Sequence, residues 1–331
     1  MISEKEIKNI NTLLTSHNKF VLTTHINPDG DAIGSEMAMA VYLRHLGKEV
    51  LIINNSATPN NYQFLDKNEE IIVYDEEKHY DLMASADLYL ILDISDWDRL
   101  RKIGKIIQNS TVPKICIDHH HINYQFVDID VIYEQASSTG ELIFEFLDKV
   151  GFPIQGSVAR SLYTCILTDT GSFRFSNTTA KTHVMASRLL DAGVNAREIY
   201  NLVYEQNSRN KMLLMGEALC AINYECNGQL AWFVLTQEMF QRCETSHWDT
   251  EGFAELPRSI DGVEISLMFT ELDATKVKVS LRSKGNFVIH HIAEKFGGGG
   301  HQYAAGALVN KNLRDTMPQV LAEIKNLILC C

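Results

Sequence analysis

Two textures alternate along the first half of the chain. Residues 20–25 (FVLTTH) form a β-branched, apolar run bounded by Lys19 and by the turn Asn27-Pro28-Asp29-Gly30. From 33 to 46, Ile33, Met37, Val41 and Leu46 recur at helical spacing with alanines between them, and Gly47 marks a stop. Residues 49–53, 87–93 and 114–118 return to the first texture. These nearly continuous apolar runs predict strands covered on both faces, as in a parallel sheet layered by helices. Residues 138–150, 157–167 and 180–191 predict further helices. The alternation gives an α/β fold with a doubly wound, mainly parallel sheet.

The pattern changes beyond residue 194. Residues 195–219 interleave Asn, Arg and Glu with apolar residues and meet no strong breaker before Gly216, which predicts a helical connector. Residues 218–224, 230–236, 263–270 and 276–282 predict strands, 286–296 a helix, and 297–300 are four consecutive glycines. The expected organisation is a first domain over 1–193, a helical linker over 194–216, and a smaller α+β domain over 217–331.

Composition narrows the function classes. At 45% hydrophobic and 22% charged residues the chain reads as an ordinary globular protein. Its apolar runs are too short and too interrupted to span a bilayer, and MISEKEIKNI has no signal-peptide core, so no membrane role and a cytoplasmic location are expected. Seven cysteines without a C-x-x-C read as reduced, mostly buried residues, and no role is assigned to Cys330 and Cys331. A net charge of −12 argues against long duplex nucleic acid held by its backbone. It suits a short substrate whose phosphates meet metal ions and a few local cations.

The polar residues sit where such a sheet places its ligands, at the carboxyl ends of strands. The first strand runs into His25, Asp29 and Asp31, the third ends at Asp93, and the fourth ends at Asp118-His119-His120. Asp169 follows a helical stretch in LTDTGSF. Singly, a histidine after a strand or a DG turn means little; jointly, four separated segments supply acids and imidazoles to one edge. Asp29 and Asp31 are close enough to repel unless a cation lies between them. Mixed imidazole and carboxylate donors suit Mn2+, Fe2+, Co2+ or Zn2+ better than Ca2+. Two such ions can activate a water and clamp both oxygens of an in-line phosphoryl displacement.

The segments THINPDGDAIGS, LDISDWDRL, IDHH and LTDTGSF resemble the four motifs of the DHH phosphoesterase superfamily, and FGGGGHQYAAG resembles the signature of the DHH-associated C-terminal domain. The order matches over nearly the whole chain, and the resemblance is strongest to the bacterial nanoRNase/pAp-phosphatase branch. It implies two divalent ions, most simply Mn2+: His25 and Asp29 on one, Asp31, His119 and Asp169 on the other, and Asp93 on both. It further implies His120 beside the substrate phosphate as an orienting or proton-donating group, and Asp118 holding the histidines. His121 extends the usual pair and receives no role. Across a cleft between the domains, Arg282, Gly299, Gly300 and His301 would grip the nucleotide, and the glycine run would form an anion nest. Very short RNA and pAp are the implied substrates and a homodimer the implied assembly. Cyclic or linear dinucleotides (c-di-AMP, pApA) are the alternative substrates; a catalytically inactive nucleotide-binding module is a further alternative, against which the complete set of carboxylates speaks. Arg99 and Arg101 read as surface residues, as does the run Asp75–Lys78, and Arg174, just past Asp169, is a substrate-binding candidate to which no role is assigned.

Overall fold

The computed structural model describes residues 2–122 and 124–329, so Cys330 and Cys331 lie outside the described residues. The chain divides into two units, Met1–Gln206 and Asn207–Cys331.

The first unit is built on six parallel strands: β1 Lys19–Thr23, β2 Glu49–Asn54, β3 Ile71–Val73, β4 Leu88–Leu92, β5 Lys114–Asp118 and β6 Ile129–Ile132. Their order is β3-β2-β1-β4-β5-β6. The chain thus winds outward in one direction from β1 and in the other from β4, and the crevice where the winding reverses lies at the carboxyl ends of those two strands. Eight helices connect and cover them: α1 Glu4–Ser16, α2 Gly30–His45, α3 Glu76–Ala84, α4 Arg101–Asn109, α5 Thr139–Lys149, α6 Gly156–Asp169, α7 Ala180–Asp191 and α8 Ala196–Tyr204. The unbroken apolar runs are explained by the two cores. Leu88, Leu90 and Leu92 of β4 face one core with α2, α5 and α6, while Tyr89 and Ile91 face the other with Leu100, Ile103 and Ile107 of the α4 side. A strand's side chains alternate, so a strand with helices on both faces needs apolar residues at every position. The short edge strands β3 and β6 were not predicted.

Helix α2 is buried nearly all round. It lies so close to α6 that a side chain on Gly34 would fall 2.5 Å from Cys165 Sγ and 2.6 Å from the Ser161 carbonyl oxygen. That approach brings Asp31, at the start of α2, toward Asp169, at the end of α6. Beneath the same end, Asn54 of β2 accepts a hydrogen bond from the Thr24 N–H at 3.1 Å and donates to the buried carboxyl of Glu36 at 2.8 Å.

The second unit carries a six-stranded mixed sheet of order β11-β12-β10-β9-β8-β7: β7 Asn223–Glu225, β8 Leu230–Leu235, β9 Ile265–Asp273, β10 Lys276–Ser283, β11 Gly299–His301 and β12 Ala304–Val309. Its helices are α9 Arg209–Cys220, α10 Gln237–Arg242, α11 His290–Lys295 and α12 Leu313–Leu329. The stretch 195–219 is two helices, with α8 in the first unit and α9 in the second, and Gly216 lies inside α9. The strand expected at 218–224 begins only at Asn223, because α9 continues to Cys220. No helix among the described residues is long and apolar enough to cross a membrane.

Glu36 yields a stability test. Burial raises its carboxyl to about 8, against the hydrogen bond from Asn54. The folded chain therefore keeps this proton up to about pH 8, whereas the unfolded chain releases it near its ordinary value. The stability it contributes is complete at low pH and is lost as pH rises through that window. Expected outcome: in thermal melts from pH 5 to pH 9, Glu36→Gln gains on the wild-type protein up to about pH 8 and then levels off, reaching on the order of a few kcal/mol at about 1.4 kcal/mol per pH unit. A gap independent of pH would contradict a neutral Glu36.

Candidate active site

Asp29 is the N-cap of α2: one carboxylate oxygen accepts the N–H groups of Asp31 and Ala32 at 3.0 and 3.1 Å. Its other oxygen stays available, 4.0 Å from His25 Nε2. Asp93 follows β4 with φ of +59°, a left-handed conformation that few non-glycine residues adopt. The turn points its carboxylate back across the switch point. Asp93 Oδ2 lies 3.5 Å from His25 Nε2, and Asp93 Oδ1 lies 3.7 Å from His119 Nε2. The same His119 nitrogen is 3.1 Å from Asp169 and 3.8 Å from Asp31.

Two donor groups result, His25, Asp29 and Asp93, and Asp31, His119 and Asp169, and a third set, Asp93, His119 and His120, overlaps them; within each the ligand atoms lie within 4.8 Å of one another. Asp93 faces both groups, one oxygen toward each. The imidazoles are oriented from behind. His25 Nδ1 meets the Ile26 carbonyl at 2.9 Å and His119 Nδ1 meets the Ala136 carbonyl at 3.3 Å. A carbonyl only accepts, so Nδ1 carries the hydrogen and Nε2 turns toward the carboxylates.

His120 differs. Its Nδ1 lies 2.7 Å from Asp118, whose same oxygen also accepts the backbone N–H groups of His119 and His120 at 2.7 and 3.1 Å. Burial would raise the Asp118 carboxyl, yet the hydrogen bond and charge of His120 hold it below the usual carboxylate range. Asp118 is therefore an anchor for the turn, outside both donor groups. His121 is exposed and pairs with Glu134 at 2.7 Å, away from them.

The electrostatics set out a cation requirement. Asp31 and Asp93 are 0% and 1% exposed, so water does not relieve their repulsion. Burial, then the charge of Asp169, raises Asp31 to about 7. Burial, then Asp31 and Asp29, pushes Asp93 well above its ordinary value. Burial alone would lower His119, but the hydrogen bond and charge of Asp169, followed by Asp31, raise it to about 10. Without an ion, protons hold this cluster together. The donor set fits a divalent metal, whose binding would release them. His25 is held below its usual value by burial, against Asp29 and with help from Arg99, and so stays a neutral donor. Arg99, read from the sequence as a surface residue, thus reaches the site electrostatically.

Several contributors were not visible in the sequence. The N-terminus of α5 closes over the carboxylates: Thr139 and Gly140 donate their N–H groups to Asp31 at 2.6 and 2.9 Å, and the Thr139 hydroxyl donates to Asp93 at 3.0 Å. The only available signal was Ser138, three residues before Glu141, a helix-start pattern that says nothing about ligands. Asn177 holds the Asp169 and Ser137 carbonyls together at 3.1 and 2.9 Å.

In the second unit, Arg282 and Ala304 are paired across β10 and β12, and Ala304 is paired in turn with His301 of β11. Glu255 grips the Arg282 guanidinium and also pairs with Arg258. The anion nest expected at 297–300 does not form. The Gly297 and Gly298 N–H groups close α11 by bonding to Glu294 and Ala293, and Gly299–His301 run as an extended edge strand. Gly300 has φ of +141° and sits where a Cβ would be 2.5 Å from the Ala304 carbonyl, so its place requires glycine.

Comparison with known proteins agrees with this architecture. The DHH family N-terminal domain matches residues 19–168, and the DHHA1 domain matches residues 239–329. The bifunctional oligoribonuclease and PAP phosphatase NrnA of Thermus thermophilus is 31% identical over 305 residues, covering 92% of this chain and 88% of that protein. An exopolyphosphatase-related protein from Bacteroides fragilis superimposes with a TM-score of 0.93 at 30% identity, covering 99% and 98% of the two chains. RecJ of Thermus thermophilus in complex with Mn2+ shares the fold, with a TM-score of 0.58 at 13% identity, over 100% of this chain and 56% of that one. The chain belongs to the DHH family of phosphoesterases, with a DHHA1 domain following the DHH domain in sequence.

Proposed function

We propose that this protein hydrolyses very short oligoribonucleotides to 5′-mononucleotides and converts pAp to AMP and phosphate. The observation that carries the reading is the pair of His/carboxylate donor groups sharing Asp93 at the switch point. The Thermus relative, a bifunctional oligoribonuclease and PAP phosphatase, supplies the substrate class. His25 and Asp29 would hold one ion, Asp31, His119 and Asp169 the other, and Asp93 both, with Mn2+ as the ion we assign. When bound, such ions lower the pKa of water and neutralise phosphate oxygens.

The chain's own residues do the rest. Thr139 and Gly140 fix the Asp31 and Asp93 oxygens, so little rearrangement is needed when charge develops at phosphorus. Asp118 accepts from His120 Nδ1–H and keeps the ring in one orientation, so that as an imidazolium His120 would turn its Nε2–H to the departing nucleoside oxygen and give it that proton. Arg282, steadied by Glu255, supplies a cation to a non-bridging phosphate oxygen. Gly299, Gly300 and His301 complete the nucleotide contact from the edge strand.

Three experiments test this reading. With Mn2+ present, rates on pAp, a 2-mer, a 5-mer and a 24-mer RNA, pApA and c-di-AMP are compared. The expected order places pAp and the 2- to 5-mers at least about tenfold above the 24-mer, as the acidic surface implies; preference for the 24-mer or for c-di-AMP overturns the assignment. Asp93→Asn is expected to lose on the order of 10³-fold in turnover. The same variant should lose the rise in melting temperature that Mn2+ gives the wild-type chain, while melting no lower without metal. Thr139→Val, which removes only the hydroxyl on Asp93, is expected to weaken Mn2+ binding by calorimetry roughly 10-fold. Unchanged affinity would show that Thr139 merely packs.

A further inference from the structure

One aromatic in the second unit stands largely in solvent. Trp248 is 70% exposed, in a 3₁₀ turn over His247–Thr250. A solvent-facing indole is costly, and here the turn that carries it is hydrogen-bonded. Ser246 accepts the Trp248 N–H at 3.3 Å, and the Asp249 carboxylate accepts the Ser246 N–H and hydroxyl at 2.9 and 3.0 Å. The His247 ring lies against the indole, with centroids 4.4 Å apart and planes inclined by 39°. The turn thus presents two adjoining rings on a pinned backbone.

Strand β10 carries a line of cations. Lys278, Ser280 and Arg282 alternate along β10 and so share one face of the sheet. His247 lies close enough to Lys278 to feel its charge, and Lys278 lies close enough to Arg282 and Glu251 to feel theirs. Across from Ser280, itself buried, β12 carries Gly306. Arg258 and Arg282 are both held by Glu255. Three cations, Lys278, Arg258 and Arg282, stand among three carboxylates, Asp249, Glu251 and Glu255, a locally balanced patch in a chain whose net charge is −12. Lys278 to Arg282 spans roughly 13 Å of strand. At about 3.4 Å per stacked nucleotide, that is the reach of a few nucleotides.

We propose that Trp248, backed by His247, is a base-stacking platform for a second or third nucleotide of a short single-stranded RNA, with Lys278 on the intervening phosphate. The inference rests on the functional reading above and extends it, since pAp has a single base and an oligonucleotide has more. Aromatic rings flanked by cations bind single strands with little base preference, because every base offers a π-face.

The test pairs binding with turnover in the full-length protein. Anisotropy of a 3′-fluorescein-labelled RNA pentamer is measured with EDTA present to stop hydrolysis. Trp248→Ala is expected to weaken pentamer binding about five- to tenfold, at the low end for base–aromatic stacking, and Trp248→Phe to restore most of it. With Mn2+, the ratio of kcat/KM on the pentamer to that on pAp should fall by the same factor in Trp248→Ala. Equal pentamer affinity in wild type and Trp248→Ala overturns the platform, as does a wild-type chain that binds no pentamer. A wild-type chain that binds the pentamer through Trp248 but hydrolyses neither substrate supports the platform and overturns the functional reading instead.

Discussion

Asp31 and Asp93 bring two carboxylates into an interior that water does not reach, and their mutual repulsion organises what surrounds them. Each available compensation is present. Backbone N–H groups at the start of α5 meet Asp31, a threonine hydroxyl meets Asp93, and an imidazole driven to hold an extra proton sits among them. These contacts reduce the cost of burial without cancelling it, since none supplies the charge of a divalent ion. The cluster is therefore built around a cation, and the close approach of α2 to α6 at Gly34 keeps its walls from relaxing apart.

The sheet order places this arrangement. β1 and β4 are neighbours although α2, β2, β3 and α3 lie between them in sequence, so His25 and Asp93 meet where the two windings part. The left-handed turn at Asp93 follows from that meeting. An extended residue at the strand end would carry the carboxylate onward along the strand, while the turn sends it sideways to face both histidines.

Residues that act through side chains at strand ends could be read from the sequence, because the apolar runs announce where each strand stops. His25, Asp93 and His119 are of this kind. Residues that act through the backbone could not. Gly140 contributes an N–H, which any residue possesses, and Thr139 is one hydroxyl among many. The glycine run misled for a related reason. Four flexible residues are compatible with a nest, but two of their N–H groups were already required by the carbonyls at the end of α11, a demand that appears only once the end of that helix is known. The strand expected at 218–224 failed because its apolar residues also suit the last turn of α9, and β3 and β6 escaped because three or four residues are too few to show a period.

The division of the donors between early and late segments bears on biosynthesis. His25, Asp29 and Asp93 all lie within the first 93 residues, whereas the other group is complete only once Asp169, near the end of α6, has been made. A chain emerging from the ribosome can close the first group on β1 and β4 long before the second exists. Early occupancy would tie β1 to β4, a native pairing whose two strands are separated in sequence by α2, β2, β3 and α3. The asymmetric ancestry of the two groups along the chain thus offers a way for translation to order their assembly.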